Sequence, residues 1–291
     1  MMFKSSAFVM LLIFSGNVFA QNVISIPDKT ESGKMYPWKR TTGGYIPLQQ
    51  RFKVPANFKR VKVDKKSWAY WLRNIPLRKK GTRVYDYAGD EVPSSTAAAA
   101  AVVDLDIGNR DLQQCMDTII RLRGEYHWWR NTKSKIGFRY YGNLYYKWSH
   151  WSNGMRPKKV NGRMKIVPGY RGGTSRKSFI KYMTYIFAMT GTVNNAGEKK
   201  VKFSDIKAGD FFVYPAPSSR VLGHAIVIMD IAENSSGEKI GILAQGFTPA
   251  QDMHILKAPG GGVWYKFKEK LPIKTPLWSP FKWSELRRFK Y

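Results

Sequence analysis

Cys115, His224 and Gln245 are the residue types from which a thiol hydrolase is assembled, and they occur in the order of their chemical roles. A cysteine attacks a carbonyl as the thiolate, so it needs an imidazole to take its proton and a third polar group to orient that imidazole. Cys115 lies in DLQQCMDTIIRLRGEYHWW, where Leu112, Cys115, Ile119, Leu122 and Tyr126 share one helical face and Asp111 with Gln114 reads as a capping box. That spacing puts the thiol in the first turn or two of a helix, where unpaired N–H groups lower a thiol pKa. The same apolar face also suits a buried cysteine that acts as a small hydrophobe. His224 opens GHAIVIMDIAE and Gln245 ends the apolar run of EKIGILAQGF. A core histidine and a sheet-edge cap are the plain alternatives for these two. Asp252 and His254, in PAQDMHIL, form a second polar pair that could line the same cleft or close a turn.

The elements that must position these groups follow from periodicity. DIKAGDFFVYPAP, GHAIVIMDIAE and EKIGILAQGF are short Val-, Ile- and Phe-rich runs between turn residues, which predicts three antiparallel strands. In SWAYWLRNIPL, Trp68, Trp71, Leu72 and Ile75 recur at helical spacing, and Pro76 ends the helix. A further helix is expected from a Thr174 or Ser175 cap through SFIKYMTYIFAM. TRVYDYAGDEV reads as strand then turn, and AAAAAVVDLDI fits helix or strand. The order helix, basic insertion, helix, small sheet gives an α+β fold. The expected domains are a signal peptide at 1–20, an extended lead-in at 21–50 and one α+β domain at 51–291, with 127–173 as an insertion.

The insertion carries the second chemical signal. The chain holds 49 Lys and Arg against 20 Asp and Glu, a formal charge of +29, and no acid lies between Glu125 and Glu198. Among the cations of that stretch stand Trp128, Trp129, Arg130, Tyr140, Tyr141, Trp148 and Trp151. Cations beside flat aromatic faces suit an anionic polymer that also offers sugars or bases for stacking. The alternative is that the aromatics form core and the cations a solvated face.

Residues 1–20 supply Lys4, an apolar run from Ala7 to Phe14, and Val18 and Ala20 before a cut at Gln21, the pattern of a secretory signal peptide. Export to the periplasm or beyond is expected, without a transmembrane anchor, since Ala97 to Val103 is too short to span a bilayer. The expected partner is an anionic envelope polymer such as peptidoglycan, with nucleic acid less favoured because no nucleic-acid motif is present. Four widely spaced histidines and a single cysteine predict no metal site, no intrachain disulfide and no cofactor. Glu125, Asp117 and Asp210 are available for glycoside hydrolysis, but their spacing does not select them.

The sequence GD…GHA…AQ downstream of a helical cysteine resembles the papain-like cell-wall hydrolases of the NlpC and CHAP types. That resemblance implies a papain-like core, a Cys-bearing helix packed on a small antiparallel sheet, with Cys115 as nucleophile, His224 as general base and Gln245 as orienting residue. The chain departs from the pattern at Gln113-Gln114-Cys115-Met116, where those families place an acid or Asn before the cysteine and a small residue after it. WLRNIPL, LQQCMDTIIRLRGEY, GHAIVIMDIA and LAQGFTPAQDMHIL also resemble a family of secreted bacterial proteins classed only as a domain of unknown function. The reading is a secreted cysteine amidase or peptidase acting on peptidoglycan. The alternative is a non-catalytic module that binds anionic glycan, lipopolysaccharide or nucleic acid.

Overall fold

The computed structural model describes residues 29–38, 46–170, 172–218 and 220–290, so the expected signal peptide lies outside the described residues. In chain order the principal helices are α1 (Lys29–Met35), α2 (Trp68–Arg73), α3 (Cys115–Trp129) and α4 (Arg176–Phe187). The first strands are β1 (Phe58–Arg60), β2 (Ala99–Val102), β3 (Gly137–Tyr140), β4 (Leu144–Lys147), β5 (Met155–Val160), β6 (Arg163–Pro168) and β7 (Lys199–Lys200). They are followed by β8 (Phe211–Tyr214), β9 (His224–Asn234), β10 (Lys239–Gln245), β11 (His254–Leu256), β12 (Trp264–Phe267) and β13 (Leu286–Arg288).

The three strands expected from the sequence, β8, β9 and β10, pair antiparallel at the centre of a nine-stranded sheet in the order β2-β11-β10-β9-β8-β13-β7. β12 adds beside β10 and β1 beside β9, which makes the sheet larger than the small one expected. The added strands are two to four residues long, too short for period-two alternation to mark them in the sequence.

Alternation along β9 and β10 divides the molecule into two cores. Ala225, Val227, Met229, Ile242 and Ala244 join the larger core under α2, α3 and α4. Ile226, Ile228 and Leu243 join the smaller one with Phe212, Phe267 and Phe281. α3 lies across the first face through Cys115, Met116, Ile119, Ile120 and Leu122. Burial of each large apolar side chain contributes roughly 1.5–3 kcal/mol.

Local signals set the helix starts. Ser67 and Ser175 each accept a hydrogen bond from the backbone N–H three residues on, the second being one of the two caps expected for α4, and such caps contribute about 1 kcal/mol. α3 begins later than expected. Gln114 is its N-cap, its N–H donates to Asp117 Oδ2 at 3.2 Å, and Asp111 instead accepts from the Gln114 side chain at 2.9 Å. Cys115 is therefore the first helical residue.

One further expectation is corrected, and the seating of the basic aromatic region is added. The lead-in at 21–50 is not simply extended: α1 lies within it, and Met35, Tyr36 and Trp38 are buried against Trp71 and α3. The region at 127–173 is no appendage, because Trp148 and Trp151 pack on Tyr182 of α4 and Phe138 on Phe289. The run of aromatics holds that region to the main core. AAAAAVV divides between a helix at Pro93–Ala98 and β2.

Candidate active site

The start of β9, the end of β10 and the start of α3 converge. Gly246, just past β10, passes so close to α3 that a Cβ there would lie 2.6 Å from Thr118 Oγ1 and 3.2 Å from the Gln114 carbonyl oxygen. No side chain fits between the strand end and the helix start, and this closeness brings Cys115 to the opening peptide of β9.

Cys115 is 5% exposed, with the backbone N–H groups of Ala225, Met116 and Cys115 itself acting on its sulfur. Those amides favour the thiolate, but burial and the neighbouring Asp117 outweigh them and the thiol pKa is pushed up to about 12. Asp117 is itself raised well above the carboxylate range by burial, and its Oδ1 has no partner, which fits a protonated carboxyl. At neutral pH the thiol keeps its proton.

His224 and Gln245 are brought together directly: His224 Nε2 and Gln245 Oε1 are 2.8 Å apart. The amide continues the chain, with Gln245 Nε2 at 3.1 Å from His254 Nε2 and His254 Nδ1 at 3.0 Å from the Asp252 carbonyl oxygen. The direction of every bond follows from its far end. A carbonyl only accepts, so His254 Nδ1 donates and its Nε2 accepts from the Gln245 amide. Gln245 Oε1 then accepts from His224 Nε2–H, which leaves Nδ1 of His224 as the unprotonated, basic nitrogen. Burial lowers both histidines to about 4, so each is neutral at pH 7. Phe247 packs edge-on to His224 at 4.7 Å between ring centroids, and Trp278 lies 4.8 Å away, excluding water from the imidazole–amide bond.

The thiol and the imidazole are not bonded and lie on opposite faces of the strand. Ala225 faces α3, so the preceding His224 side chain emerges on the other face of the sheet, among Phe247, Trp278 and Phe281. One peptide, that joining His224 to Ala225, stands between them, and no hydrogen bond links Sγ to either ring nitrogen.

Asp252 and His254 belong to this chain. The Asp252 carboxylate takes a bidentate pair from Arg78, at 2.7 and 2.9 Å, and the Tyr85 N–H, fixing the loop whose carbonyl holds His254. Arg78, Gly246 and Phe247 were not anticipated, and of these only Phe247, two residues past Gln245, carries a signal in its aromatic type. Glu125 is tied by Arg121 and Arg176, and Asp210 by Arg288, so neither is free to serve as an acid catalyst.

The expected aromatic surface is largely interior, which corrects its assignment to ligand stacking. Tyr140, Trp148 and Trp151 are buried, Trp128 and Trp129 are half-buried beside Lys133 and Arg130, and Tyr141 alone is fully outward. The cations remain outside: Lys158, Lys159, Arg163 and Lys165 stand exposed on the β5–β6 hairpin. Among the described residues no cluster of three or more His, Cys, Asp or Glu could hold a metal, and no helix is long and apolar enough to cross a membrane.

No curated protein and no solved structure matches the chain. A family model described as "Domain of unknown function (4846)" matches residues 48–288, from the short helix before β1 to the end of β13, and covers every residue of the imidazole–amide chain. The chain belongs to that family.

Proposed function

We propose that this protein is a thiol hydrolase of the papain-like type that cleaves amide bonds, with Cys115 as nucleophile, His224 as general base and Gln245 as the residue that positions the base. The observation that carries the reading is the bond from His224 Nε2 to Gln245 Oε1, which fixes the tautomer with Nδ1 basic beside the peptide that the thiol touches. In the reaction the thiol proton passes to Nδ1 as sulfur bonds to the amide carbon. The C–N bond then breaks, the imidazolium protonates the leaving amine, and water releases the acyl group as a carboxylic acid. For that transfer the His224–Ala225 peptide must shift, because it stands between sulfur and imidazole in the resting arrangement. The helix N-terminus and the Ala225 N–H supply donors for the developing oxyanion.

Peptidoglycan is the proposed substrate. The cationic hairpin at β5–β6 suits an anionic polymer, and the leader-like residues 1–20 suit export to where that polymer lies. A binding-only role on anionic glycan, lipopolysaccharide or nucleic acid is favoured by one observation, the buried thiol with its raised pKa.

The two readings separate in one assay. Purified protein incubated with peptidoglycan should release new amino groups, and Cys115→Ala should lower that release by at least about a thousandfold while retention on the polymer is unchanged. Equal release by the Ala variant removes the thiol mechanism.

A further inference from the structure

Beside the start of α3 lies a cavity of about 390 Å³, open to solvent and shared by the 106–113 segment, α3 and α4. Its polar wall holds Arg110, Gln113, Arg121 and Arg176, with Asp106 at the rim. Ile180 and Phe187 form an apolar side. Gln113 is 2% exposed; its Oε1 accepts from Arg121 Nη1 at 3.2 Å, and its Nε2 has no partner. A buried amide N–H without an acceptor is costly, and it calls for an acceptor from outside the chain. The guanidinium groups of Arg121 and Arg176 share a single carboxylate, Glu125, and Arg110 is exposed without an ion-pair partner among the described residues. With Glu125 and Asp106 counted against the three arginines, one positive charge is left over.

We propose that this cavity is a subsite for one carboxylate on the peptide whose amide bond Cys115 attacks, an inference that rests on the hydrolase reading. One surplus charge matches a carboxylate better than a phosphate dianion. The guanidinium fork and the Gln113 N–H give planar donors for its two oxygens, and the apolar side takes the methylenes that carry it. Gln113 stands two residues before Cys115, so the subsite and the nucleophile are built on one turn of chain.

The test measures binding apart from turnover. The full chain carrying Cys115→Ala is titrated by calorimetry with acetyl-Ala-Glu amide, with its Gln isostere and with inorganic phosphate. The Glu peptide should bind roughly tenfold tighter than the Gln peptide and tighter than phosphate. Adding Arg110→Ala should weaken the Glu peptide by about tenfold with the melting temperature unchanged. Gln113→Glu, which places a carboxylate in the cavity, should abolish that preference. Equal binding of the two peptides, or stronger binding of phosphate, overturns the assignment. Selective binding with no hydrolysis by the unmodified protein keeps the carboxylate site and removes the thiol reading. Hydrolysis of Glu and Gln peptides at equal rates does the reverse.

Discussion

The molecule buries polar groups in two contrasting ways. Around Asp230 the solution is ionic: a fully buried carboxylate accepts from Arg60 at 2.6 Å and Arg73 at 2.7 Å, tying β1 and α2 to β9. At the end of the same strand the solution is neutral, a chain of imidazole, amide, imidazole and peptide carbonyl with no formal charge. The ionic cluster holds elements in place. The neutral chain orders its protons and leaves one basic nitrogen, which is what acid–base chemistry requires. Burial thus serves cohesion in one place and the ordering of protons in the other.

The sharpest way to break this contrast is Asp230→Ala. It strands two buried guanidinium groups and should destabilise the fold by about 3–5 kcal/mol in urea titration; a loss below 1 kcal/mol would mean that the arginines find water and that the cluster is no clamp. The neutral chain should be exposed by acid. Both histidines have folded pKa values near 4, below the usual 6.5. The unfolded chain therefore binds more protons as pH falls from 6.5, so stability is complete above 6.5 and is lost toward 4, by of order 3 kcal/mol per histidine. Stability that stays flat between pH 7 and 4.5 would show the imidazoles to be hydrated. The smallest effect is expected for Gln245→Met, which leaves His224 Nε2–H and His254 Nε2 without partners at a cost of about 1–3 kcal/mol. That variant should also remove the single His224 tautomer seen by nitrogen NMR. A retained tautomer would show that Gln245 does not set it.

How much of this was legible in the sequence depends on the range of the forces involved. Ser175 and the three apolar strands were readable because caps and alternation act within a few residues. The N-cap of α3 was misplaced because Asp111 satisfies the capping pattern by type, yet spends its carboxylate on the Gln114 side chain and on the Ala250 N–H. The tryptophans between Glu125 and Glu198 were ambiguous because a cation next to an aromatic in sequence says nothing about which of them faces water. His224 and Gln245 could be paired in the sequence because adjacent antiparallel strands were already expected there. The continuation through His254 to Asp252 and Arg78 depends on β11 pairing beside β10, a contact between short elements that no local pattern encodes. The arginine cavity, which sets the 106–113 segment and the start of α3 against α4, was invisible for the same reason.

Gly246 has a consequence for how the site could be taken apart. Because its missing side chain is what lets the strand end rest on Thr118 and the Gln114 carbonyl, the seating of the helix start on the sheet is governed by an atom that is not there. A single methyl group at this position would act as a wedge, prising the helix tip off the sheet while leaving every chemical group intact. The arrangement of Cys115 beside the strand ends is thus a property of contact between two backbones, and it can be undone without altering one polar side chain.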